Sequence, residues 1–163
     1  MTDPKLPDPL PAGASTAEAP PQTAARRLAQ FYETLTPAAL ADLGQLYAPD
    51  ARFKDPFNEV VGIDAIRRIF EHMFTTTEAP RFVVTEAIEQ GGQAMLGWEF
   101  RFALRGRALT VRGVTHLRFD ADGRVALHRD YWDAAEELYE KLPLLGGLMR
   151  AIRRRLRATD PPR

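Results

Sequence analysis

From Thr23 onward the apolar positions fall into two regimes. Leu28, Phe31, Tyr32 and Leu35 recur at i, i+3, i+4 and i+7, which places them on one face of a helix from an N-cap at Thr23 to about Leu35. Thr36-Pro37 then reads as a second N-cap with proline at the first helical position. Leu40, Leu43, Leu46 and Tyr47 line that second helix, which should stop before Pro49. Residues 51–55 and 59–61 read as short strands on either side of an Asp55-Pro56 corner. A third helix after Gly62 should bury Ile63, Ile66, Ile69, Phe70, Met73 and Phe74.

From Arg81 the period changes to two. Residues 82–90, 94–104, 108–119 and 124–132 are separated by Gly91-Gly92, Arg105-Gly106 and Asp122-Gly123, which are hairpin turn signals. In the second of these strands Leu96, Trp98, Phe100, Phe102 and Leu104 form one apolar face. Leu109, Val111, Gly113, Thr115, Leu117 and Phe119 form the matching face of the third. On the fourth, His128, Asp130 and Trp132 share a side, with Leu127, Arg129 and Tyr131 opposite. Asp133 with Glu136 makes a capping box that opens a helix to about Leu142. Helices followed by a long meander predict an α+β fold, with helices packed on one face of a curved sheet.

Composition sharpens the boundaries. Six of the 13 prolines lie in the first 21 residues, a Pro/Ala-rich stretch with too little apolar surface to offset its ordering entropy. The expected organisation is therefore a disordered tail over 1–22, a domain over 23–142 and an extension over 143–163. With no cysteine, the chain has no disulfide, thiolate nucleophile or cysteine-ligated metal site. Apolar runs are too short for a membrane helix and the start lacks a signal pattern, so the expected location is cytoplasmic. The net charge of zero conceals an asymmetry: residues 141–163 hold seven Lys or Arg against Asp160 alone. The body has no nucleic-acid surface in its charge pattern.

The chemistry-bearing candidates are polar groups at interior positions. A Gly-rich phosphate loop, G-x-S-x-G and H-E-x-x-H are all absent, which argues against nucleotide-driven and zinc-hydrolytic activities. Tyr32, Asp55, Thr115, His128 and Asp130 instead fall where the periodicities predict burial. Burial among Trp98, Phe100 and Phe102 disfavours the charged form of a carboxylate unless hydrogen bonds offset it, a setting suited to proton transfer. Each has a structural alternative. Asp55 before proline can cap its turn, Asp130 can pair with Arg101, Arg112 or Arg129, and His128 can be a hydrogen-bonded core residue. His128-x-Asp130 lacks an evident third metal ligand, and His72 reads as a solvated helix residue.

In the order of these elements the chain resembles the SnoaL-like branch of the NTF2-like superfamily. The resemblance is carried by the run Leu46-Tyr47-Ala48-Pro49-Asp50-Ala51-Arg52-Phe53-Lys54-Asp55-Pro56, by Gly62-Ile63-Asp64-Ala65-Ile66 and by Trp98-Glu99-Phe100. Gly113-Val114-Thr115-His116 and the closing His128-Arg129-Asp130-Tyr131-Trp132-Asp133 continue it. It implies a cone-shaped α+β barrel in which three N-terminal helices shut one side of a strongly curved mixed sheet around an apolar cavity. Members commonly form dimers. By comparison with ketosteroid isomerase, Asp55 matches the general base and Tyr32 the oxyanion-donating tyrosine, while Thr115 stands where that enzyme has a protonated aspartic acid. The cyclase-like branch places its acid/base carboxylate on the late strand, a role open to Asp130, with His116 or His128 beside it. The epoxide hydrolase's Asp–Arg–Asp set would require Arg101 or Arg112 to turn inward.

These implications combine into one expectation. The chain is a cofactor-independent, metal-free cavity protein performing isomerase- or cyclase-like acid/base chemistry on a small hydrophobic carbonyl compound. Asp55, Asp130, Tyr32, Thr115 and His128 supply the chemistry, and Trp98, Phe100, Phe102, Leu117 and Trp132 the walls. The alternative is a non-catalytic ligand-binding or dimeric interaction module. A C-terminal helix with Leu144, Leu145, Leu148, Met149, Ile152 and Leu156 on one face and solvated arginines elsewhere is expected to pack across the cavity mouth or in a dimer seam. The alternative, secondary to packing, is an interfacial helix whose residues 144–157 touch anionic lipid.

Overall fold

The structure, a computed structural model, describes residues 23–137. Helix α1 (Ala24–Glu33) starts where expected: Thr23 is extended, and its hydroxyl accepts a hydrogen bond from the Arg26 amide. Its buried face is Ala25, Leu28, Ala29 and Tyr32. Thr36 accepts from the Ala39 amide at 3.2 Å, but the helix it caps is a 3₁₀ segment (Ala38–Asp42) followed by a single α-turn, α2 (Leu43–Leu46). Strand β1 (Tyr47–Lys54) begins immediately afterwards and turns through Asp55-Pro56 into β2 (Glu59–Val61).

Two sequence expectations change here. Tyr47 is the first residue of β1 rather than the last of a helix, because its backbone pairs with Val125. Pro49 lies inside the strand, where pairing with the neighbouring strand is irregular between Tyr47 and Arg52. A residue without an N–H is tolerated there.

Helix α3 (Ile63–Thr76) buries Ile66 and Phe70, while Ile63, Ile69, Met73 and Phe74 pack at its partly buried margins. The meander follows as β3 (Glu78–Gln90), β4 (Gln93–Leu104), β5 (Arg107–Phe119) and β6 (Val125–Tyr131). Gly91-Gly92 and Arg105-Gly106 all have positive φ, as two-residue hairpin turns of type I′ require. Asp133 accepts from the Glu136 amide and opens α4 (Ala134–Glu137). The extension over 143–163 and the tail over 1–22 lie outside the described residues.

The six strands form one curved mixed sheet in the order β2-β1-β6-β5-β4-β3. Only the β1–β6 pairing is parallel. A bulge between Val84 and Glu86 bends β3 opposite Gly97. Helices α1 and α3 cover one face of the sheet, α1 against β3 and β4 and α3 against β1 and β3. The core beneath α1 and α2 includes Leu28, Leu43, Leu96, Leu117 and Val125, all at 1 % exposure or less. Toward the other end of α3 the helices and sheet diverge, leaving a cleft.

Candidate functional site

The alternation of β5 and β6 places Thr115 opposite Asp130 and Leu117 opposite His128. Thr115 and His128 are buried, as are the polar ends of Tyr32, Tyr47 and Trp98, and they belong to one hydrogen-bonded chain. Trp98 on β4 donates its indole N–H to Thr115 Oγ1 at 2.8 Å. An indole can only donate, so the threonine hydroxyl passes its own proton onward to Asp130 Oδ1. His128 Nε2 lies 2.9 Å from the same oxygen. On its other side His128 Nδ1 is 2.9 Å from the Tyr47 hydroxyl and 3.1 Å from that of Tyr32, and the two phenols are 2.5 Å apart.

One proton arrangement satisfies every member. Asp130 is ionised and accepts twice at Oδ1, and His128 is neutral with its proton on Nε2. One of the two tyrosines donates to Nδ1 and the other donates to that tyrosine's oxygen, and either phenol can take the first role. No buried side-chain nitrogen or oxygen among the described residues lacks a partner. Burial pushes the Tyr32 hydroxyl well above its ordinary value, with Tyr47 and the Asp130 charge adding to the effect. Burial likewise raises Tyr47, against a smaller opposing effect of its hydrogen bond with Tyr32. Both phenols are therefore fixed as neutral donors. The imidazole is held sideways as well, stacked on Phe53 with ring centres 4.5 Å apart.

Asp130 is the hinge between this interior and the outside. Its side chain is 16 % exposed, and Oδ2 takes no hydrogen bond among the described residues. Behind it, a chamber of about 20 Å³ is bounded by Tyr32, Phe82, Trp98, Thr115 and His128, roughly the space for one water. In front lies an open cleft of about 250 Å³ between α3 and the sheet. Phe82, Phe100 and Phe102 stack in a ladder along it, with ring centres 4.6 and 4.8 Å apart. Phe57 and Trp132 meet edge to face at its mouth, with ring centres 5.3 Å apart.

Of the residues expected from the sequence, Tyr32, Thr115, His128 and Asp130 come together, and Trp98 joins them as a hydrogen-bond donor as well as a wall. Phe100, Phe102 and Trp132 line the cleft. Leu117 does not: at 0 % exposure it belongs to the core and borders neither cavity. Asp55 borders the cleft but spends its carboxylate on the turn. Oδ1 accepts from the Phe57 and Asn58 amides at 2.7 and 2.6 Å, and the Asn58 side chain donates to both oxygens. His116 points to the outer face and bonds Gln93, as alternation requires. Arg101 and Arg112 both pair with Glu99 and line neither cavity, so the Asp–Arg–Asp arrangement is not formed.

Tyr47 is a site residue that the periodicity does not reveal, because a helical reading of residues 37–48 turns it toward the helix core. The signal present in the sequence is Pro49-Asp50 so soon after it, which shortens any helix there. His72, on α3, has an exposed ring that also borders the cleft. Among the described residues no cluster of three His, Cys, Asp or Glu side chains is arranged to hold a metal ion, and no helix is long and apolar enough to cross a membrane.

An α+β cone of this topology, with its polar chain at the junction of core and cleft, is the NTF2-like fold. An NTF2-like protein of unknown function from Burkholderia pseudomallei superposes with a TM-score of 0.62 at 24 % identity, over 69 % of this chain and 92 % of that one. A protein with a ketosteroid isomerase-like fold from Catenulispora acidiphila, solved with trimethylamine, gives 0.58 at 20 % over 68 % and 85 %. An LEH-like epoxide hydrolase from M. tuberculosis gives 0.61 at 16 % over 80 % and 96 %. No curated protein matches the sequence. The SnoaL-like domain family matches residues 28–128, and the chain belongs to that family.

Proposed function

We propose that the chain is an acid/base enzyme acting on a small hydrophobic carbonyl compound held in the aromatic cleft, with Asp130 as the proton-transferring group. The observation that carries this reading is the asymmetry of the Asp130 carboxylate. Oδ1 is fixed by Thr115 and His128, while Oδ2 takes no hydrogen bond among the described residues and lies at the boundary between a buried polar chain and an apolar cleft. A carboxylate so held is oriented before substrate arrives, and a positioned base of this kind contributes about 10²–10⁴ in rate.

Tyr32, Tyr47, Thr115 and Trp98 are positioning residues in this account. Their hydroxyl and N–H protons are spent inside the chain, so they orient His128 and Asp130 rather than reach a substrate oxygen. Asp55 holds the wall that ends in Phe57. The proton transfer asks for no metal or organic cofactor.

Exchange of the α-protons of an aryl ketone such as 2-tetralone in D₂O, followed by proton NMR, tests the reading. The protein should accelerate exchange above buffer, and Asp130→Asn should abolish the acceleration while preserving the fold, since the amide oxygen can still accept from Thr115 and His128. Exchange at the buffer rate with the unmodified protein would instead support the non-catalytic binding module, and acceleration retained in Asp130→Asn would remove Asp130 as the base.

A further inference from the structure

The cleft's charge is as distinctive as its shape. Asp130 and Asp55 both border it, and its lining among the described residues includes no lysine or arginine. Two neighbouring cations, Lys54 and Arg129, share an adjoining pocket with Asp55 and Asp130 but do not border the cleft, and both are engaged elsewhere. Lys54 is paired with Glu59, and the Arg129 guanidinium lies 4.8 Å over the Tyr131 ring. Asp130's own partner, His128, is neutral in the proton arrangement that satisfies the chain. The remaining titratable nitrogen on the lining belongs to His72, which is exposed at the rim. Among the described residues, two carboxylates without a cationic side chain on the lining thus share a cleft whose other surface is largely aromatic.

Aromatic faces carry negative electrostatic potential and attract cations, more strongly when the site is partly desolvated. The carboxylates and the ring faces therefore favour the same sign of ligand charge. A ligand carboxylate or phosphate would meet two negative groups without a cationic donor to receive it. A ligand ammonium would supply the counter-charge the described lining lacks.

From this we infer that the cleft selects an organic cation: an aryl- or alkyl-substituted amine whose apolar part lies along the Phe82–Phe100–Phe102 ladder and whose ammonium group sits toward Asp130 and Asp55. The inference rests on the cleft's being the ligand site of the proposed acid/base function. It deepens that reading by making the substrate an amine-bearing carbonyl compound and by excluding organic acids.

Three soluble probes of similar size but different charge separate the possibilities: 2-phenylethylammonium, 2-phenylethanol and phenylacetate. They are titrated calorimetrically into the full chain at pH 8, where a free imidazole is neutral, and at constant ionic strength. The ammonium should bind at least about tenfold more tightly than the alcohol, with phenylacetate weakest. Raising the salt should narrow the gap, and Asp130→Asn should reduce the ammonium preference over the alcohol several-fold.

The order in the unmodified protein stands without any variant. An alcohol bound as tightly as the ammonium, tighter binding of phenylacetate, or no binding of any probe would each overturn the inference. The ketone-exchange experiment reports separately on the acid/base reading. Exchange that depends on Asp130 without ammonium preference would remove the charge selectivity and leave the proton transfer in place. Ammonium preference without exchange would do the reverse.

Discussion

At the scale of single residues, the site depends on small facts of hydrogen-bond capacity and space. Gly113 is one of them. A Cβ placed there would stand 2.5 Å from two atoms of the Trp98 ring and 3.0 Å from the Tyr131 carbonyl oxygen. The missing side chain is thus what lets the indole lie across β5 and reach Thr115. Gly113→Ala should displace the ring, cost about 1–3 kcal/mol from overpacking, and shift the Trp98 contribution to the fluorescence spectrum; unchanged urea midpoint and spectrum would contradict this. The tyrosines have a pH consequence whose sign follows from their raised values. An unfolded tyrosine ionises near pH ~10, whereas buried Tyr32 and Tyr47 hold their protons longer. Below that pH both states are protonated and the contribution to stability is complete. Above it the unfolded chain releases protons first, and stability falls as pH rises. Urea midpoints at pH 8 and pH 11 should therefore differ less for Tyr32→Phe than for the unmodified chain, and equal differences would contradict the assignment.

At the scale of elements, the sequence is most legible where one periodicity runs long. The faces of α1 and α3, the hairpin turns and the inward register of Trp98, Thr115, His128 and Asp130 follow directly from alternation and helical spacing. It is least legible where tertiary pairing overrides a local pattern. Leu40, Leu43, Leu46 and Tyr47 fit a helix, but pairing of Tyr47 with Val125 converts the end of that segment to strand and brings the tyrosine hydroxyl to His128. Leu117 illustrates a related limit: alternation gives the face of the sheet but not the depth along it, and depth separates core from cleft. The β1–β2 turn shows what contacts add to an ambiguous sequence position. Four hydrogen bonds from Phe57 and Asn58 converge on the Asp55 carboxylate. Asp55→Ala should lower stability by about 1–3 kcal/mol by leaving these donors without their acceptor, measured by urea denaturation; a neutral effect would show that the turn holds without it.

At the scale of the whole molecule, a closed end supplies stability and an open end supplies the cleft. The aliphatic core under α1 and α2 encloses apolar side chains, whereas among the described residues the buried polar side chains form one chain that crosses from Tyr47 on β1 to Trp98 on β4. That division explains how a fold shared with distant proteins at 16–24 % identity can keep its shape while its chemistry changes: the working groups occupy a few inward positions on the late strands. In the proposed chemistry Asp130, not Asp55, is the base. The most direct measurement is the α-proton exchange rate of the aryl ketone with the unmodified protein, Asp55→Asn and Asp130→Asn, compared side by side after each is shown to be folded. The expected result is exchange retained within a few-fold in Asp55→Asn and lost by about 10²-fold or more in Asp130→Asn. Loss in Asp55→Asn with retention in Asp130→Asn would contradict it.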